Sequence, residues 1–129
     1  MKARYVLHPD EGYSESWLEG GVTLLDFAAF VQKLWSDPQW SAEYDGLMDF
    51  SEATIEMTVE DLQKLVTFML RDARCSLARW AFVVRTAETF GWLRKLDALS
   101  QQQSTIRIFF SRADADAWLH QSRKASKRH

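Results

Sequence analysis

One cysteine, two prolines, five glycines and three histidines are spread over 129 residues. Cys75 has no partner within the chain, so no internal disulfide can staple the fold. His8, His120 and His129 are too scattered to match a metal-ligand spacing, and neither a metal nor another cofactor is expected. No apolar run reaches the roughly 18 residues of a membrane span and no signal peptide opens the chain, so it reads as soluble and cytoplasmic. The Gly-x-Ser-x-Gly elbow, the Gly-x-x-x-x-Gly-Lys phosphate loop and the Gly-x-Gly-x-x-Gly fingerprint are all missing. Hydrolase, nucleotide-binding and dinucleotide-binding readings thereby lose their main signals, and the expectation is a non-enzymatic protein.

What is present is a core. The chain is 47% hydrophobic, and a domain of this length buries roughly two thirds of its unfolded surface, enough to fold without staples. Charge is divided unevenly. Residues 1–61 carry three basic and 13 acidic side chains, whereas residues 62–129 carry 13 basic and five acidic ones. The two halves neutralise one another if they interleave in space. Arg123, Lys124, Lys127 and Arg128 fall within the last eight residues, so 1–121 reads as one domain and 122–129 as a basic, flexible tail. At about 1 kcal/mol per basic residue near an anionic surface, four such charges supply transient membrane contact but no anchor. Nucleic-acid binding is not expected, because the rest of the chain is net acidic and offers no basic stripe interleaved with aromatics.

Periodicity predicts nine elements. Arg4–Leu7 and Tyr13–Leu18 read as strands of a hairpin around His8-Pro9-Asp10-Glu11-Gly12, with Gly20-Gly21 ending the second. Thr23 opens a helix with Leu24, Phe27, Ala28, Val31 and Trp35 at helical spacing, closed by Asp37-Pro38. Tyr44–Phe50 contains a strand, and Ile55–Met57 is extended or loop. Thr58-x-x-Asp61 resembles a capping box before a helix that reaches Asp72 or Ala73. Trp80–Val84 is an unbroken apolar run of the kind a central parallel strand requires. A helix over Ala87–Ser100, a strand over Ile106–Phe110 and a last helix capped by Ser111 complete the order ββαβαβαβα. Alternation of this kind predicts an α/β sandwich with a mixed, mostly parallel five-stranded sheet. Ligands of such sheets sit beyond the carboxyl ends of the strands, here Phe50 to Thr58, Arg85 to Phe90, and Ser111.

Five local strings then carry a resemblance across most of the chain. They are Glu19-Gly20-Gly21-Val22-Thr23, Leu47-Met48-Asp49-Phe50-Ser51-Glu52-Ala53, Thr58-Val59-Glu60-Asp61-Leu62, Phe90-Gly91-Trp92-Leu93-Arg94 and Ala117-Trp118-Leu119. In order and spacing they resemble the SpoIIAA-like proteins of the STAS superfamily. The resemblance implies a five-stranded sheet with four helices, related in architecture to anti-sigma-factor antagonists and to CRAL-TRIO lipid carriers. Phosphorylated members carry an Asp-Ser-Ser-Gly type string at the start of the second helix. This chain instead has Thr58 among Glu56, Glu60 and Asp61, carboxylates that would repel a phosphate, so Thr58 reads as a plain helix cap.

Two functional readings follow. A regulatory or adaptor module would meet a protein partner through Ser51, Glu52, Glu56, Thr58 and Glu60, the acidic rim that Asp45 and Asp49 extend. A carrier or sensor of a small apolar ligand would line its cavity with Phe50, Met57, Met69, Phe90 and Trp92. Trp35, Phe82, Trp92 and Trp118 fall on faces expected to pack, whereas Trp17, Trp40 and Phe50 adjoin irregular segments where a ring can line a pocket or lie exposed. Cys75, between Arg74 and Arg79, lacks an adjacent base and reads as an ordinary thiol. An exposed aromatic surface or a free sheet edge leaves a homodimer open.

Overall fold

A computed structural model describes residues 1–41, 43–71, 79–99 and 105–127, with the side chains of 69–71 and 122–127 excepted. Cys75 and Arg74 lie outside the described residues, as do the Met69 side chain and the expected end of the second helix. The order is β1 (Lys2–His8), β2 (Tyr13–Val22), α1 (Leu24–Trp35), β3 (Asp45–Ile55), α2 (Val59–Arg71), β4 (Arg79–Val83), α3 (Ala87–Leu99), β5 (Thr105–Phe109) and α4 (Arg112–Lys127). It matches the ββαβαβαβα order. The α4 backbone stays helical six residues past position 121.

The five strands lie in the sheet in their chain order. β1 pairs antiparallel with β2, and β2 through β5 are parallel. Each parallel step adds the next strand on the same side, and right-handed crossovers then place α1, α2 and α3 on one face of the sheet. That face holds the larger core, where Phe27, Val31 and Leu34 of α1, Leu62 and Leu65 of α2, and Leu93 and Leu96 of α3 meet Leu18, Met48, Phe50, Trp80 and Phe82 of the strands. Among the described elements, α4 covers the other face. There Ala115 and Leu119 cover Leu47, Ala81 and Val83, with Phe109 and Trp118 at the margin.

Three strands are longer than the sequence pattern expects, β1 at both ends and β2 and β3 at their exits. β2 runs through Gly20-Gly21 to Val22 because Gly20 takes φ +81°, a conformation open to a residue without Cβ, and the ladder with β3 continues. β3 runs five residues past Phe50, which corrects the reading of that ring as flanking an irregular segment. Phe50 is 2% exposed, within the core. Trp17 likewise stands on β2 rather than beside a loop.

Small residues make room for large rings on the helical face. Ser14 of β2, Gly46 of β3 and Trp80 of β4 are successive cross-strand partners. A Cβ on Gly46 would lie 2.1 Å from the Trp80 ring. Gly46→Ala should therefore lower stability by about 1–3 kcal/mol through overpacking. Urea denaturation checks this, and an unchanged midpoint would contradict the close approach.

Candidate functional site

The four parallel strands all end at one end of the molecule, and all four helices begin there. Each helix carries its own hydroxyl cap. Thr23 Oγ1 accepts from Asp26 N at 3.2 Å, Thr86 Oγ1 from Thr89 N at 3.2 Å, and Ser111 Oγ from Asp114 N at 3.3 Å. Thr58 and Asp61 form the reciprocal box: Asp61 N donates to Thr58 Oγ1, and Thr58 N donates to Asp61 Oδ2, both at 3.1 Å. The Thr58 hydroxyl thus satisfies one of the first-turn amides of α2.

Within this end, β3 departs from its neighbours in two ways. Opposite β2 the register moves from Trp17↔Asp49 to Glu19↔Glu52, so β3 holds one extra residue. Such a bulge re-aims the side chains beyond it. Phe50 points into the helical core, and after the bulge Ala53 and Ile55 also pack there, which sends Glu52 and Thr54 to the opposite, exposed side. Opposite β4 the ladder closes at Asp49↔Val83. Asp49 Oδ1 accepts from Ser51 N at 2.9 Å and from Ser51 Oγ at 2.5 Å, taking the next amide that a longer β4 would have used.

The residues singled out as a partner face therefore occupy one exit. Ser51 is half-buried against Asp49, Glu52 lies 3.5 Å from Arg85, and the Glu56 carboxyl lies against Gly21. Glu60 is exposed in the first turn of α2 next to Val59, which is 55% exposed. Asp45 stands at the far end of the same strand. Arg85 reaches the acidic rim, whereas Arg94 lies over Phe90 and Lys95 over Trp92.

The apolar set divides. Phe50, Met57 and Trp92 line a void of about 20 Å³ together with Phe27, Ile55, Phe82 and side chains of α2 and α3. Phe90 is outside that lining and stacks on Phe110 at 5.3 Å between centroids, leaving Phe110 60% exposed. Trp35 and Phe82 are buried as expected, while Trp92 and Trp118 are only half-buried.

A second constellation lies on the α4 face of the sheet. Arg112, at the start of α4, pairs with Glu15 of β2 and approaches Asp49 at 3.8 Å and Asp116 at 3.6 Å. Glu15 also contacts His8 Nε2 at 2.5 Å, and His8 stacks on Tyr13 with centroids 4.5 Å apart. Trp17 receives Arg4 at 4.1 Å and Arg112 at 5.4 Å from its ring. Alternation along β2 signals that Tyr13, Glu15 and Trp17 share a face. Their meeting with Arg112, 97 positions after Glu15, has no local signal. Among the described residues no group of His, Cys, Asp and Glu is placed to hold a metal ion, and no helix is long and apolar enough to cross a membrane.

No protein-family model matches the chain, and no curated protein matches it. Among solved structures it is similar to an uncharacterized protein of the DUF3478 family with a SpoIIAA-like fold from Shewanella loihica PV-4. The TM-score is 0.62 at 16% identity, over 92% of each chain. The chain has a SpoIIAA-like fold. The five-stranded mixed sheet and four helices implied by the five sequence strings are thus present in three dimensions. In this SpoIIAA-like fold, the exit of β3 and the capped start of α2 form an acidic corner.

Tyr13 gives the α4-face constellation a titration signature. Burial first, then the Glu15 and Glu11 carboxylates, push its hydroxyl up from 10.0 to about 12. A folded value above the unfolded one contributes stability that is full below about pH 10 and lost as pH rises through about 12. Urea stability should fall across that window, and Tyr13→Phe should flatten the fall. Tyr5, raised by its hydrogen bond to Asp37, leaves a residual slope. An identical slope in the variant would contradict the assignment.

Proposed function

We propose that the protein is a non-enzymatic adaptor or regulatory module that engages a protein partner through the exit of β3 and the first turn of α2. One observation carries this reading. β3 outruns β4, so Glu52, Glu56 and Glu60 stand exposed at the strand-end corner, with apolar Val59 among them. Carboxylates grouped in this way speed encounter with a basic surface and select against an acidic one, while an exposed apolar side chain supplies area to bury. The corner is also where ligands of open α/β sheets commonly bind.

Carriage of a small apolar ligand is the second reading, favoured by the wholly apolar lining around Phe50, Met57 and Trp92. Its difficulty is size. Small-molecule sites run to roughly 300–1,000 Å³, and a void of about 20 Å³ leaves room for about one water-sized occupant. Carriage then requires α2 and α3 to part, at the expense of the packing between them. The adaptor reading requires no such opening.

Charge reversal separates the readings. The triple variant Glu52→Lys, Glu56→Lys, Glu60→Lys should lose, by tenfold or more, the proteins that cross-link to the wild-type chain in its native extract. Asp10→Lys, Glu11→Lys, Glu43→Lys, at the opposite end of the sheet, should keep them. Quantitative mass spectrometry after cross-linking reads the difference, with circular dichroism confirming the fold. An unchanged set of captured proteins in the first variant would refute the face.

A further inference from the structure

The chemistry of the partner segment follows from the edge that β3 exposes. Past Asp49 the strand has lost β4, yet it continues to Ile55 with β2 as its one strand neighbour among the described residues. Along a parallel strand, successive residues turn their backbone N–H and C=O groups to opposite neighbours. Glu56 N donates to Val22 O at 2.8 Å, so Glu52 and Thr54 also direct theirs toward β2. Ala53 and Ile55 then direct theirs to the side β4 has vacated. The Ser51 amide on that side is engaged by Asp49, which marks where the two strands fork. Beyond the fork lies a short open ladder, and unpaired strand groups are a template for another chain.

The two flanks of this edge differ. On the helical side stand Ile55, Met57 and the half-buried Trp92, and on the other side the bulge has turned out Glu52, with Glu56 beyond it. A second copy of the chain would bring its own Glu52 to the same edge, and like charges side by side on paired strands repel. The geometry points to an extended peptide segment of a protein partner, added as a strand beside Ala53 and Ile55. Its alternate side chains are apolar toward Met57 and Trp92 and basic toward Glu52 and Glu56, displacing Arg85 from Glu52. This assignment rests on the docking face proposed above and specifies its ligand. Main-chain bonds supply the affinity and the alternating side chains the selectivity, as in other cases of strand addition.

The test uses the full chain and three acetylated, fluorescein-labelled nine-residue peptides. One alternates Lys and Val, one alternates Glu and Val, and one is the Lys–Val peptide with Pro at its two central Val and at the Lys between them, which removes ladder donors in either strand direction. Fluorescence polarisation should show saturable binding of the Lys–Val peptide. The Glu–Val and Pro peptides should bind at least tenfold more weakly, and Glu52→Gln, Glu56→Gln should weaken the Lys–Val peptide about tenfold. Amide NMR signals of Ala53 and Ile55 should shift on binding and become protected from exchange. Equal binding of the Pro peptide would overturn strand addition, and equal binding of the Glu–Val peptide would overturn the charge assignment. Failure of every peptide to bind, or a dimer of the chain formed through this edge, would overturn the inference. Either result leaves the docking face itself to be decided by the charge-reversal capture.

Discussion

A parallel sheet that grows in one direction commits its helices. β2, β3, β4 and β5 are added in sequence order, and each right-handed crossover deposits its helix on the same face. Three helices therefore crowd one side, and among the described elements α4 covers the other. Much else follows from this imbalance. The helical face carries nearly all the aromatic core, including Phe27, Phe50, Phe82 and Trp80, and needs Gly46 to admit a ring. The opposite face buries Leu47, Ala81 and Val83 under α4. Toward β1 and β2 it turns into a polar surface on which Arg112 ties the start of α4 to Glu15 and Asp49.

Asp49 links the two halves of the account. One of its carboxylate oxygens faces Arg112 on the α4 side, and the other takes both polar groups of Ser51 at the fork between β3 and β4. A carboxylate in this position ends one ladder while anchoring the helix that covers it. The bulge opposite Leu18 then re-phases the rest of β3, so that one strand supplies Ala53 and Ile55 to the core and Glu52 to the surface. The corner proposed for docking is the outcome of these local choices acting together at the strand ends, where four capped helices also begin.

Much of this was legible from the residues. Helical spacing of Leu24, Phe27, Val31 and Trp35, the Thr58-x-x-Asp61 box and the apolar run Trp80–Val84 each state a local preference that the fold obeys. The length of β3 was not legible, because Ser51, Glu52 and Thr54 interrupt the apolar pattern and their phase is set by a bulge against β2. Gly20-Gly21 reads as a stop, yet the positive φ of Gly20 lets the strand continue. On the site, the acidic residues were visible as a cluster in sequence, and the structure brings Glu52, Glu56 and Glu60 to one corner. Phe90 was grouped with Trp92 by helical proximity, but its ring turns to Phe110 and leaves the void to Met57 and Trp92. The Glu15–Arg112 pairing was beyond reach, since tertiary contacts between distant ion-pair partners leave no periodic trace.

Past Asp49, β3 runs on beside β2 with the other side of its backbone open among the described residues. Residue-resolved amide exchange on the free chain tests it most directly, because protection reports which N–H groups are bonded. An alternating pattern is expected, with Thr54 and Glu56 protected by β2 and Ala53 and Ile55 exchanging much faster than Leu47 to Asp49. Uniform protection from Leu47 through Glu56 would contradict it, for it would mean that another element already fills the edge.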